Sequence, residues 1–217
     1  MSASPSLANQ QRVYDVSSHI DQRVILHGIS WSDYDALLNM RGEGGGTRIA
    51  YLEGELELMT PSYDHEARKK LLARLIEAYA EECDLELQGC GSWTLRTEAK
   101  ARGLEPDECY AIGQLDGPPA IPDLAVEVVW THGGLDKLAI YAGLEIPEVW
   151  LWQDDRLSFH LFNGQEYRTA PRSRLWPAFD PALVERLMNY ASQTHAVRDL
   201  RRALRAPSLG AGDLAER

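Results

Sequence analysis

The sequence predicts an α/β (α+β) chain in which a central mixed β-sheet is flanked by helices, and three features carry that expectation. Residues 48–52 and 55–59 alternate apolar and polar side chains about Glu53-Gly54, the period-two pattern of a hairpin. Leu71, Leu72, Leu75, Ile76 and Tyr79 recur at the spacing of one face of a long helix. An apolar run at 124–130 is followed by a short helical segment and a second apolar run at 148–152, giving the order strand, helix, strand.

Taken in order, residues 1–28 are polar and aperiodic to about Asp21 and are read as an amino-terminal arm or tail ahead of a single domain at 29–205. Ser30 and Asp33 suit the start of a short amphipathic helix over 30–40, with Trp31, Tyr34, Leu37 and Leu38 on one face. Gly44-Gly45-Gly46 ends it, and lacks the lysine and hydroxyl residue of a phosphate-binding loop. After the hairpin, Thr60-Pro61-Ser62 closes the second strand and Asp64 is the expected cap of the long helix. Residues 85–88 and 92–96 alternate as strands, and 108–112 and 124–130 read as neighbouring strands joined by a proline-rich loop. Gly133-Gly134 turns into a helix over 135–142, Asn163-Gly164 marks a hairpin after the strand 157–162, and 181–205 carries a last helical pattern. Residues 206–217 are small and polar and are read as a flexible tail.

The 217 residues, 44% hydrophobic, suffice for one well-buried core. No run approaches about 18 uninterrupted apolar residues, and the amino terminus has no basic segment followed by an apolar one. No membrane association and a cytoplasmic location are therefore expected. Cys83, Cys90 and Cys109 are odd in number and form no C-x-x-C pair, against a disulfide framework or a thiolate zinc site. The net charge of -11 lacks the basic excess of most nucleic-acid binders, so any DNA contact is expected to be local, metal-assisted or weak.

The chemistry concentrates in 107–137. Asp107 follows Pro106 at a strand entrance and Glu127 sits inside the next strand, so adjacent strands bring two carboxylates together. With a backbone carbonyl, Val128 being the candidate, they make an oxygen donor set that suits magnesium, with manganese as a substitute. Such an ion polarises a phosphate and activates water. Val129 stands two positions after Glu127, where an E-x-K pattern needs lysine, and Lys137 at the start of the following helix is the nearest replacement. Bland readings stand beside these: a Pro-Asp turn for Asp107, an internal salt bridge for Glu127, a solvated helix start for Lys137. Asp123 is a second-ranked ligand, on the same strand face as Glu127 but about 13 Å away. The other histidines lack zinc spacing, and the aromatic residues at 150, 152 and 159 suit core or dimer contacts.

Tyr51-Leu52-Glu53-Gly54-Glu55-Leu56, His65-Glu66, Gly103-Leu104-Glu105-Pro106-Asp107-Glu108-Cys109-Tyr110, Asp123-Leu124-Ala125-Val126-Glu127-Val128, Lys137-Leu138 with Tyr141, and Ile146-Pro147-Glu148-Val149-Trp150 occur in this order. In that combination the chain resembles a large family of restriction-endonuclease-like proteins, once classed as a domain of unknown function, within the PD-(D/E)XK nuclease superfamily. The resemblance spans about 29–205. It implies a restriction-endonuclease-like core, magnesium-dependent phosphodiester hydrolysis, often a homodimer, and a lysine displaced into the helix as at Lys137. It also matches Glu55 and His65 to further motif positions that line the cleft. An exposed strand face remains open for Glu55, as does a capping or packing role for His65.

The first expectation is therefore a metal-dependent DNA endonuclease with Asp107 and Glu127 as ligands and Lys137 as electrostatic catalyst. The alternatives are a non-catalytic binding or structural protein that keeps the fold, and a hydrolase of another phosphate ester.

Overall fold

The computed structural model describes residues 19–42, 46–114 and 116–206. The arm before His19, the tail beyond Ala206 and the turn at Gly44-Gly45 lie outside the described residues.

The expected mixed sheet flanked by helices is present, and a second, antiparallel sheet stands beside it. The antiparallel sheet holds β1 (Gln22–His27), β3 (Glu55–Thr60), β2 (Arg48–Leu52), β6 (Arg102–Leu104) and β5 (Leu95–Thr97) in that spatial order. The mixed sheet runs β11 (Tyr167–Ala170), β10 (Arg156–Phe162), β9 (Glu148–Gln153), β8 (Leu124–Val129), β7 (Glu108–Ile112), β4 (Leu87–Gly89). Its one parallel pair, β8 with β9, needs a crossover, and α3 (Lys137–Leu144) supplies it. The remaining described α-helices are α1 (Trp31–Arg41), α2 (Tyr63–Glu82), α4 (Pro181–Met188) and α5 (Gln193–Arg205).

Strand alternation decides which helix covers which face. Leu124, Val126 and Val128 of β8, with Trp150 and Trp152 of β9 and Phe159 of β10, pack against α2, α4 and α5. The three aromatic side chains are thus core residues. Ala125 of β8 and Val149 of β9 face the other way and pack on Ile140 and Tyr141 of α3, which also meets Ala50, Leu95 and Leu104 of the antiparallel sheet. One helix is therefore clamped between two sheets, and its amino-terminal end points its side chains at the odd-numbered face of β8. A smaller cluster of Tyr34, Leu38, Ile49, Tyr51 and Leu56 seats α1 on the antiparallel sheet.

Four elements differ from the sequence expectation. Residues 22–27, assigned to the arm, pair with β3 from Gln22↔Thr60 to His27↔Glu55; their alternation is hidden because Val24 and Leu26 face solvent. Ser62, not Asp64, caps α2 by accepting from the His65 amide. The expected single helix over 181–205 breaks into α4 and α5, because Asn189 ends the first and the Ser192 side chain caps the second. The short β6 is not legible in the sequence because Gly103 interrupts its pattern. The three cysteines are free thiols.

Gly103 is required by packing. A Cβ there would lie 2.7 Å from Tyr34 Cζ, and Tyr34 is fully buried and stacked on Tyr51. Gly103→Ala should therefore cost about 1–3 kcal/mol through overpacking, read from urea unfolding midpoints. An unchanged midpoint would show that α1 is not seated by this contact.

Candidate active site

The register of β7 and β8 builds the site. Glu108 faces Val126, and one further step beyond the strand sets Asp107 opposite Glu127, a position where antiparallel side chains lie close together. The Val128 amide donates to Asp107 Oδ2 at 2.8 Å and fixes that step. Both carboxylates have no solvent exposure. Burying an ionised carboxylate costs several kcal/mol unless it is paired and hydrogen-bonded, so the partners decide whether the arrangement can exist.

Glu127 receives its partners from α3. Asp136 caps that helix by accepting from the Ala139 amide at 3.0 Å, which makes Lys137 the first helical residue. Lys137 Nζ donates to Glu127 Oε2 at 2.5 Å, and the Tyr141 hydroxyl, one turn later on the same face, donates to Oε1. Asp107 receives its partners from α2 and β2. His65 Nε2 stands 3.0 Å from Asp107 Oδ1, and Arg48 Nε lies 3.6 Å away while its Nη1 donates to the Pro106 carbonyl. Behind His65, its Nδ1 meets Asp21 Oδ2 at 3.1 Å, and Asp21 also accepts from the Ser62 amide and the Thr131 hydroxyl.

The loop before α3 is tied to the antiparallel sheet. Glu57 Oε2 accepts from the Leu135 amide at 2.8 Å and Arg23 Nε lies 3.3 Å from Glu57 Oε1. Arg23 Nη1 donates to the carbonyls of Thr131 and His132. A cavity of about 260 Å³ reaches Glu127, Lys137 and Tyr141 beneath this loop.

These contacts set the ionisation. Burial raises the Asp107 carboxyl, but His65, Lys137 and Arg48 outweigh it and hold the group well below the usual carboxylate range. Burial pushes the Glu127 carboxyl up, opposed by the Lys137 ammonium. Burial would lower Lys137, but Glu127 and Asp107 more than offset it, so the lysine keeps its charge. His65 is likewise lowered by burial yet raised to about 9 by Asp107 and Asp21. Asp21, raised by burial, falls to about 2 through its bonds to His65 and Ser62.

Asp107, Glu127, Lys137 and His65 thus come together, with the Val128 main chain between the two carboxylates. Glu55 does not join them: it is exposed beside the hairpin turn and pairs with His27 at 2.9 Å. The second-ranked Asp123 sits at the other end of β8, where it accepts from the Ile112 amide. Sequence reading misses Asp21, Arg48 and Glu57. Glu57 shares its strand face with Glu55 and is hidden by that acidic alternation, and Asp21 lies in an aperiodic segment. Among the described residues no three His, Cys, Asp or Glu side chains are grouped to hold a metal ion. A cation here would have two carboxylates and the main chain.

The His65 shift carries a signed consequence. Its folded value of about 9 exceeds the ordinary 6.5, so the stabilisation is fully present below about pH 6.5 and lost as pH rises through 9. Asp21, depressed from 3.8 to about 2, contributes above pH 3.8 and loses that as pH falls through 2. Unfolding free energy should drop by about 3 kcal/mol between pH 6 and pH 9.5, with the His65 ring signal titrating near 9 in NMR spectra. A flat profile over that range would show that His65 is not held as a cation.

No curated protein matches the chain. Among solved structures it is similar to the crystal structure of a putative nuclease belonging to DUF820 from Anabaena variabilis ATCC 29413. That likeness has 16% sequence identity and a TM-score of 0.43, and covers 72% of this chain and 90% of that one. The family model Uma2, described as putative restriction endonuclease, matches residues 31–184, which include Asp107, Glu127, Lys137 and His65. With well over half of its length matched, the chain belongs to the Uma2 putative restriction endonuclease family.

Proposed function

We propose that this chain is a nuclease of the PD-(D/E)XK type that hydrolyses DNA phosphodiester bonds with a divalent ion, magnesium or manganese. The observation that carries the reading is the buried pair Asp107 and Glu127, set opposite one another on β7 and β8 with Lys137 on Glu127. The donor chemistry fits the ion: Asp107 stays anionic, Glu127 faces it, and only hard oxygen atoms are offered. When held by Asp107, Glu127 and the Val128 carbonyl, the ion would polarise the phosphate and acidify a water.

The protein's own part is positioning and charge. Lys137 holds its ammonium beside Glu127 and can stabilise negative charge growing on the phosphate. It takes the place of the E-x-K lysine, because Val129 points to the same face of β8 one pleat further on while α3 returns Lys137 to the carboxylate. His65 and Arg48 orient Asp107. The cluster holds three cations (Lys137, His65, Arg48) and three carboxylates (Asp21, Asp107, Glu127). It is near neutrality, so the charge of an incoming phosphodiester is left unanswered by protein groups alone, which supports metal dependence.

A non-catalytic binding role is the second reading. It is favoured by one observation: all four oxygens of the carboxylate pair already have protein partners. A homodimer belongs to the nuclease reading, supported by the exposed Val24 and Leu26 on β1 at the border of the antiparallel sheet. Among the described residues no helix is long and apolar enough to cross a membrane.

Plasmid and single-stranded DNA incubated with magnesium or manganese should be cut by the native chain. Asp107→Asn, Glu127→Gln and Lys137→Met should each lower the rate by at least about 100-fold, with circular dichroism confirming that the variants fold. Cutting that is independent of metal, or equal in the folded variants, would reject the assignment and leave the binding reading.

A further inference from the structure

A second cavity, of about 940 Å³, lies apart from the one beneath the loop before α3. It opens between α1, the strand β2, the segment before β5 and the first turns of α2. Its walls carry Arg41, Arg48, Lys69 and Arg96 against two carboxylates, Glu66 and Glu105. Each of these cations has a carboxylate partner, Arg41 in Glu105, Arg48 in Glu66 and Asp107, Lys69 in Glu66 and Arg96 in Asp35, so the cleft gathers four paired cations in a chain of net charge -11. We infer that this cleft is the track for an unpaired nucleic-acid strand, with Trp93 as a stacking platform for one base and Lys69 and Arg96 as phosphate contacts. The inference rests on the nuclease reading and names the form of substrate that the site would take.

Three observations support it. First, the floor of the cleft reaches Asp107 through Arg48. Arg48 lines the cavity, donates to the Pro106 carbonyl at 2.8 Å and stands 3.6 Å from Asp107. A phosphate seated over Arg48 would therefore lie beside the proposed metal ligand.

Second, the cations are held by exchangeable pairs. Glu66, 41% exposed, serves both Lys69 at 2.7 Å and Arg48 at 3.4 Å. Arg96 pairs with Asp35, and both are about two-fifths exposed. The exposed Arg96–Asp35 pair is weak and a phosphate can replace its carboxylate, whereas Lys69 and Arg48 are only 12% and 13% exposed, so a phosphate there would have to displace the exposed Glu66. Glu105, in contrast, is buried and fixed by Arg41, Thr94 and the Ile49 amide, so it frames the wall without turning the track acidic at its mouth.

Third, Trp93 is 36% exposed in this cleft and, among the described residues, makes none of the ring contacts that occupy Trp31, Trp130, Trp150 and Trp176. A partly exposed indole beside cations is the combination that binds unpaired bases, because stacking needs a base released from its complement. A duplex keeps its bases paired and stacked, so it offers phosphates and groove edges but no open base face. It would have to lie across many phosphates at once, against an acidic surface, with cations gathered in one cleft.

The test is fluorescence anisotropy of a labelled 12-nucleotide oligothymidylate and of a 12-base-pair duplex, with the full chain in EDTA so that binding is read without turnover. The single strand should bind at least about tenfold more tightly than the duplex, and Trp93→Ala should weaken it by about five- to 100-fold. Lys69→Gln combined with Arg96→Gln should weaken it further and flatten the salt dependence by about 0.7 in log–log slope for each phosphate no longer neutralised. All three side chains are at least partly exposed, and circular dichroism checks the fold of each variant. Equal or tighter duplex binding, or native affinity in these variants, would overturn the inference. Metal-dependent cutting by a chain whose cleft variants bind as the native protein does would reject the cleft and keep the nuclease. Selective single-strand binding that disappears in those variants, without cutting under any metal, would keep the cleft and reject the nuclease.

Discussion

Two carboxylates without solvent exposure cannot sit opposite one another in a protein interior unless cations and hydrogen-bond donors surround them. In this chain the neutralising groups come from elements far apart in sequence: Arg48 from β2, His65 from α2, Lys137 and Tyr141 from α3. Much of the architecture follows from bringing those elements to one point. The step beyond β7 that sets Asp107 against Glu127 is locked by the Val128 amide, and the crossover between β8 and β9 starts its helix with Lys137. Removing one partner would leave its carboxylate buried and unpaired, a loss that usually costs more than the pair contributes.

The antiparallel sheet serves the mixed one. Besides Arg48, it contributes Glu57 and Arg23, which hold the main chain of the loop from Thr131 to Leu135 and so fix where α3 begins. Gly134 allows that closeness, since a Cβ there would lie 2.6 Å from Glu57 Oε2 and 3.2 Å from Arg23 Nε. The same sheet lines the broad cleft through Arg48 and Arg96, while the loop and α3 border the smaller cavity at Glu127. The smaller cavity thus reaches Glu127 directly, and the broader cleft reaches Asp107 only through Arg48.

Legibility in the sequence follows burial pattern and chain continuity. The hairpin of β2 and β3, the apolar β8 and β9 and the stripe on α2 are readable because each buries a regular face. Asp107, Glu127 and Lys137 are readable because a charged residue inside an apolar strand is costly, and a neighbouring strand and helix can answer it. His65 rests on motif order, and its place between Asp21 and Asp107 comes from packing of segments more than 40 residues apart. Glu55 and Glu57 cannot be told apart in the sequence, since both share a strand face and only the distance from the hairpin turn separates solvent from site. The second sheet is equally hidden, because pairing of β6 with β2 depends on a three-residue strand broken by glycine.

Whether the buried pair accepts a divalent ion in place of its protein partners separates a metal-dependent site from a structural one. Manganese titration followed by electron paramagnetic resonance, on the native chain and on Glu127→Gln, reads this without requiring turnover. One ion per chain, bound by the native protein and not by the folded variant, is the predicted result. Absence of manganese binding, or equal binding by the variant, would contradict it and leave Asp107 and Glu127 as a structural ion-pair network.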